Sequence, residues 1–402
     1  MTERRDTPEQ AEFREYCRRW LEENRPPAPA FRMPVSAIEI TGEEQRRYFS
    51  DWQRKCHAAG LVGADYPKEY GGGGHKGFQT VASQELGRSG APFMMNVIGL
   101  SMAAPTILVH GTEAQKRRFL PPLLSCDEVW CQGFSEPGAG SDLASAQTAA
   151  VREGDNWIVD GHKVWTSLAH FADWMILLAR TSRDDKYKGL TYFIAPIRGA
   201  KGVTVRPLVK MTGEAGFNEV LFDHVVIPDA QRLDEVGKGW TVAMTTLTYE
   251  RGAAEGAGSG GGPSLEDQVQ ALIALAKRTP RAGATAWDDA VVRDKIARMA
   301  IRVEAMRQNA RRARVETLTD HPMRIPLQSK VQLTELHQDL GALGVEIAGP
   351  HSTRYLGDEA APDGGAWPHA YMNSYGMTIA AGSNEIQRNI LGERVLGLAK
   401  SK

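Results

Sequence analysis

Two short segments hold residue types from which a ligand-binding surface can be built. Cys131-Gln132-Gly133-Phe134-Ser135-Glu136-Pro137-Gly138-Ala139-Gly140-Ser141-Asp142 runs from apolar into small, hydroxyl-bearing residues, and Gly161-His162-Lys163-Val164-Trp165-Thr166-Ser167 follows it. A strand that ends in such residues offers backbone N–H groups and a hydroxyl to a flat, polar ring edge, and a nearby aromatic covers one ring face. Tight turns between strands use the same residues, so turn chemistry alone is an equal reading of them. Two G-x-G-x-x-G matches, at Gly72, Gly74, Gly77 and at Gly256, Gly258, Gly261, follow no apolar β run and open no βαβ unit. Without that context the motif is weak. The chain has no G-x-x-x-x-G-K-[ST], H-E-x-x-H or G-x-S-x-G, and its ten histidines lack metal-ligand spacing, so no catalytic metal is expected.

The elements that must position these segments change texture twice along the chain. From Pro8 to about Leu124 the reading is helical: Thr7-Pro8-Glu9-Gln10 supplies a capping threonine, a first-turn proline and a glutamine at the third helical position. Phe13, Tyr16, Trp20 and Leu21 then form one apolar stripe. Between Asp127 and Asp229 the period shortens to strands such as Asn156–Val159, Trp174–Leu178, Thr191–Ile194 and Val203–Val205, with Asp160-Gly161 expected as a two-residue hairpin turn. After Asp229 helices return, with seams at Ile296, Met299, Val303, Met306, Ala310, Ala313 and at Leu333, Leu336, Leu340, Leu343, Ile347. The glycine-rich run from Gly252 to Gly262, between these seams and the β domain, reads equally as a surface loop or as a wall almost without side chains. The expected architecture is α+β and multidomain: an N-terminal α-helical domain (1–126), a middle antiparallel β domain (127–231) and a C-terminal α-helical bundle (232–402).

Composition bounds the partners. The chain has 402 residues, 42% apolar and 24% charged, enough for a large core and two or three domains. Lys plus Arg number 48 against 49 Asp plus Glu, so no general field attracts nucleic acid or an anionic membrane, and any anionic ligand must be held locally. Four cysteines without a C-x-x-C pair fit a reducing cytoplasm. No stretch of about 18 apolar residues and no apolar leader occurs, so a soluble, cytoplasmic protein with no membrane span is expected.

The Phe134–Asp142 and Gly161–Ser167 segments, together with Gly382-Ser383-Asn384-Glu385-Ile386-Gln387-Arg388-Asn389-Ile390 and Glu393-Arg394-Val395-Leu396-Gly397, resemble the acyl-CoA dehydrogenase family. The resemblance covers most of the chain and implies FAD lying between the β domain and the bundle. It further implies Phe134 and Ser135 on the pyrimidine side of the flavin, with Gly140 and Ser141 in the same cofactor-binding stretch. Trp165 would flank the ring, Ser167 would bond near N5, and Ser383 and Glu385 would meet the ADP portion. Ser141 would contact the pantetheine arm of an acyl-CoA substrate, and Gly382 and the Ala381 N–H would lie at the thioester oxygen.

Such chemistry needs a carboxylate for the α proton, a hydride acceptor for the β carbon, and hydrogen bonds to the developing enolate. Many relatives place the carboxylate just before the Gly-Ser pair, where this chain has Ala381; others carry it on the first helix after the β domain, which Glu250 matches. The alternative reading of Glu250 is a solvated carboxylate paired with Arg251. Relatives also commonly show Arg-x-x-Phe-Gly and Gln-x-x-Gly-Gly stretches, where this chain reads Lys277-Arg278-Thr279-Pro280 and Glu346-Ile347-Ala348-Gly349-Pro350. A glutamate repels a pyrophosphate and proline offers it no donor.

The expectation is therefore FAD-dependent dehydrogenation of a bulky, branched, cyclic or long acyl-CoA, in a homo- or hetero-oligomeric dimer or tetramer that passes electrons to an acceptor such as an electron-transfer flavoprotein. A half-site or non-catalytic subunit of a hetero-oligomer, and a flavin oxidase or monooxygenase on the same fold, are the alternatives.

Overall fold

A computed structural model describes residues 6–256, 264–313 and 315–400, with side chains over the same ranges apart from 251–256 and 316. The chain forms two compact units, Met1–Gly262 and Pro263–Lys402.

The first unit opens with five helices: α1 (Pro8–Asn24), α2 (Glu43–Ala58), α3 (Phe78–Arg88), α4 (Ala104–His110) and α5 (Glu113–Ser125). The Thr7 hydroxyl accepts from the Gln10 N–H while the Gln10 side chain accepts from the Thr7 N–H, so α1 begins at the capping box its sequence encodes. Leu21 is buried, with Phe13, Tyr16 and Trp20 packed beside it.

Eight strands follow: β1 (Trp130–Gly133), β2 (Ala149–Glu153), β3 (Asn156–Ser167), β4 (Trp174–Arg180), β5 (Leu190–Pro196), β6 (Val203–Leu208), β7 (Phe217–Pro228) and β8 (Arg232–Leu233). They form one sheet in the order β6-β7-β3-β2-β4-β5-β8, with β1 also on β4. Most neighbours are antiparallel, but β1 and β2 both run parallel to β4, because the chain leaves the sheet after β1 and re-enters as β2 in the same sense.

The expected hairpin at Asp160-Gly161 is a correction. The β2–β3 turn is at Gly154-Asp155, between the paired Glu153 and Asn156, with Gly154 in the left-handed region at φ 60°. Asp160 and Gly161 lie inside β3, where the β7 register shifts. Glycine is required at 161 for a different reason: a Cβ there would sit 2.4 Å from Thr148 Oγ1 and 2.7 Å from its Cα. Helix α6 (Gly239–Gly256) closes the unit, and its Val242 and Ala243 join one buried cluster with Ile107, Phe119, Trp130, Phe134 and Tyr192. Gly252 and Gly256 end α6, whereas Gly258, Gly260, Gly261 and Gly262 lie outside the described residues.

The second unit contains α7 (Leu265–Arg278), a two-residue ribbon of β9 (Pro280–Arg281) and β10 (Ala284–Thr285), α8 (Ala290–Arg312), α9 (Arg324–Ala348), α10 (Ala366–Ile379) and α11 (Asn384–Ile390). The two sequence seams meet: Ile296 and Val303 of α8 bury against Leu336, Leu340, Leu343 and Ile347 of α9, with Met299 and Met306 alongside. Helices α9 and α10 approach closely at Gly344, where a Cβ would stand 2.1 Å from the Trp367 ring. Among the described residues no helix is long and apolar enough to cross a membrane.

Candidate active site

In the first unit, Phe134 leaves β1 into the core, its ring edge-on to Tyr192 with centroids 5.8 Å apart and planes at 89°. The Ser135 carbonyl accepts from the Val164 N–H at 2.9 Å, which ties this segment to β3. One residue earlier, the fully buried Lys163 donates from Nζ to the Phe134 carbonyl at 3.0 Å and to Glu136 Oε1 at 2.8 Å. The Glu136 carboxylate also accepts from the Gln147 N–H at 2.6 Å and the Thr148 N–H at 2.8 Å. Burial opposes the Glu136 charge, yet Lys163 and these hydrogen bonds outweigh it and hold the carboxyl below its usual range. Burial pushes Lys163 down, against the pull of Glu136.

Glu136 and Ala139 then close a tight turn by reciprocal N–H···O bonds of 3.0 Å. Gly140 and Ser141 are exposed beyond it, next to Asp142, whose carboxyl is held low first by Lys186 at 2.8 Å and then by Ser145.

On β3 the backbone of Trp165 adopts φ 58°, a left-handed conformation that costs a non-glycine residue about 1 kcal/mol or more. It leaves the indole 53% exposed, its ring edge-on to Phe217 at 5.6 Å. Ser167 is half-buried at the strand end. Three buried polar atoms of these segments, Gln132 Nε2, His162 Nε2 and Thr166 Oγ1, lack a hydrogen-bond partner. Exposed indole, half-covered hydroxyls and orphaned donors are the features a polar, planar ring edge would satisfy.

Helix α6 is pinned by a three-hydroxyl junction in which every member is buried. The Thr246 hydroxyl donates back to the Val242 carbonyl at 3.1 Å, so its lone pairs receive Thr106 at 3.0 Å and Tyr192 at 2.9 Å. Glu250 stands one turn further along the same face of α6. Burial pushes the Tyr192 phenol up, and the Glu250 charge adds to the rise. Glu250 is thus within electrostatic reach of the ring that packs on Phe134. Arg251 lies outside the described side chains.

In the second unit, Ala381 (φ 55°) and Gly382 (φ 84°) are successive left-handed residues between α10 and α11. Their carbonyls accept from Gln387 Nε2 at 2.9 and 3.2 Å. The Ala381 N–H has no acceptor among the described residues. Ser383 caps α11, accepting from the Ile386 N–H, and the exposed Glu385 carboxyl is held low by its own backbone N–H and then by Ser383. Lys330, pushed down by burial, fixes this turn through Asn384 Oδ1 at 2.8 Å. Glu346 receives both its contacts from Lys295 Nζ, at 2.7 and 2.8 Å.

Three family profiles match in order: acyl-CoA dehydrogenase N-terminal domain over 7–127, middle domain over 131–225 and C-terminal domain over 237–396. Acyl-CoA dehydrogenase IpdE1 of Mycobacterium tuberculosis is 38% identical over 399 residues, covering 97% of this chain and 98% of the relative. The chain belongs to the acyl-CoA dehydrogenase family. Among solved structures, the Tcur3481-Tcur3483 steroid ACAD superposes with a TM-score of 0.80 at 28% identity, covering 100% of both chains. The ChsE4-ChsE5 complex of Mycobacterium tuberculosis gives 0.77 at 28%, again over 100% of both.

In this acyl-CoA dehydrogenase, an oxidoreductase of a flavoprotein family, Phe134, Ser135, Gly140, Ser141, Trp165, Ser167 and Glu250 lie in the first unit and Ala381, Gly382, Ser383 and Glu385 in the second. Lys163, Glu136, Tyr192 and Thr246 were not singled out from the sequence. A lysine in one of the two matched segments and a glutamate in the other, opposite charges in paired motifs, were the available signal for the first two. Among the described residues, Asp160, Asp223 and His224 could offer three metal-ligand atoms within 4.8 Å of one another. They already pair with each other, His224 Nδ1 lying 2.9 Å from Asp223 and 3.2 Å from Asp160.

Proposed function

We propose that this dehydrogenase binds FAD and oxidises a bulky, ring-bearing acyl-CoA thioester to the 2-enoyl-CoA, with Glu250 as the base. The observation that carries this reading is the position of Glu250: one turn past Thr246, on the helix face that packs against Tyr192 and Phe134. FAD, when bound, supplies the acceptor for the two electrons and hydrogen that leave the β carbon as hydride. The chain's own residues do the rest. Glu250 takes the proton from the α carbon, the Ala381 N–H donates to the thioester oxygen as it gains charge, and Ser141 holds the pantetheine arm. Phe134, Ser135, Gly140, Trp165 and Ser167 contact the flavin, and Ser383 and Glu385 its ADP portion.

Bulk in the acyl group follows from Ala381, which removes a carboxylate-sized side chain where many relatives carry the base, and it agrees with the steroid-acting neighbour. A second chain of the same fold completing the FAD site is favoured by Glu346 and Pro350 in the stretch that relatives use for the pyrophosphate. Solved neighbours that are two-protein complexes support the same reading. Electrons then pass to an acceptor such as an electron-transfer flavoprotein. The test is flavin content and anaerobic bleaching of the chain, alone and with a partner encoded beside it, across CoA thioesters from butyryl to polycyclic. Fastest bleaching is expected with cyclic thioesters; a preference for butyryl-CoA overturns the bulky-substrate reading, and oxygen consumption during turnover identifies an oxidase instead.

A further inference from the structure

A lysine and a glutamate buried together need a reason, because an apolar pair of similar volume commonly stabilises a fold as well or better. Lys163 is 0% exposed and Glu136 9%. The lysine does more than neutralise the carboxylate: its Nζ donates to the Phe134 carbonyl at 3.0 Å. That carbonyl and the Ser135 N–H belong to one planar, trans peptide and point to opposite edges of it. Val164 fixes the next carbonyl, that of Ser135, at 2.9 Å, so the peptide cannot rotate freely. The Ser135 N–H has no acceptor among the described residues. A cation bound to a peptide oxygen draws charge through the amide and strengthens the N–H on the far edge as a donor.

We propose that Lys163 is a positioning residue, which orients the Phe134–Ser135 peptide and polarises it so that the Ser135 N–H stabilises the charge that builds on the flavin as it is reduced. The inference rests on the FAD reading above and adds to it the pair Lys163 and Glu136 behind the Phe134 carbonyl. Glu136, anchored by the Gln147 and Thr148 N–H groups, holds the ammonium on that carbonyl.

The test is a potentiometric titration of the FAD-loaded enzyme, prepared with any partner chain it needs. Lys163→Met is expected to keep FAD but to lower the ratio of reduced to oxidised flavin about tenfold at a fixed potential, a shift of about 30 mV to more negative values for a two-electron couple. Lys163→Met with Glu136→Gln, which leaves no unpaired buried carboxylate, is expected to shift in the same direction and serves if the single variant does not fold. Lys163→Arg, which keeps a cation, is expected to recover most of the loss. A folded, FAD-bound variant without the cation that titrates at the wild-type potential overturns the proposal. Wild-type protein that never retains FAD overturns the reading beneath it, and that result is seen before any variant is compared.

Discussion

The Tyr192 hydroxyl lies 2.9 Å from Thr246 Oγ1, and both residues are completely buried although 54 positions separate them in the chain. Thr246 spends its only proton on the Val242 carbonyl, so it is the acceptor for both Tyr192 and Thr106. The junction anchors α6 at Thr246, one turn before Glu250.

Thr246→Val keeps the shape and removes the acceptor, leaving two buried hydroxyls unsatisfied. Leaving a buried donor unpaired costs about 1–3 kcal/mol. The urea midpoint is expected to fall accordingly, and adding Tyr192→Phe to Thr246→Val is expected to cost less than the two separate effects combined. Strict additivity of the two would show that the bond is not formed.

Gly161→Ala tests the close approach inside β3. The new Cβ would stand 2.7 Å from the Thr148 Cα, a backbone atom with nowhere to go. A loss of about 1–3 kcal/mol is expected, as for other overpacked sites. Unchanged stability would mean that the strand and Thr148 are further apart.

These two sites also mark where the sequence was legible and where it was not. The capping box at Thr7 and Gln10 and the α8 and α9 seams are local patterns, set by helix geometry, and they read directly. Asp160-Gly161 misled because glycine signals positive φ and close approach with the same letter; here the approach to Thr148 was the cause and Gly154 held the turn. The segments around Phe134 and Trp165 were legible through their resemblance to a family. Their supports, Lys163 on Glu136 and Tyr192 on Thr246, are pairings across 27 and 54 residues that no local period encodes.

In the second unit, burial pushes the His337 imidazole on α9 below its ordinary value near 6.5. The unfolded chain therefore takes up a proton at pH values where the folded one does not. His337 contributes stability above pH 6.5 that is lost as pH falls through the folded pKa. Urea midpoints from pH 7.5 downward are expected to decline less in His337→Gln than in the wild type. Parallel curves would remove His337 as a cause.

Removal of the substrate's α proton by Glu250 is read most directly by anaerobic mixing of the FAD-loaded enzyme with a cyclic acyl-CoA thioester, followed by flavin absorbance. Glu250→Gln is expected to retain FAD while its flavin bleaches at least about a hundredfold more slowly than the wild type, the usual scale of a lost general base. Bleaching of the Glu250→Gln flavin at the wild-type rate would contradict it and assign the proton to another carboxylate.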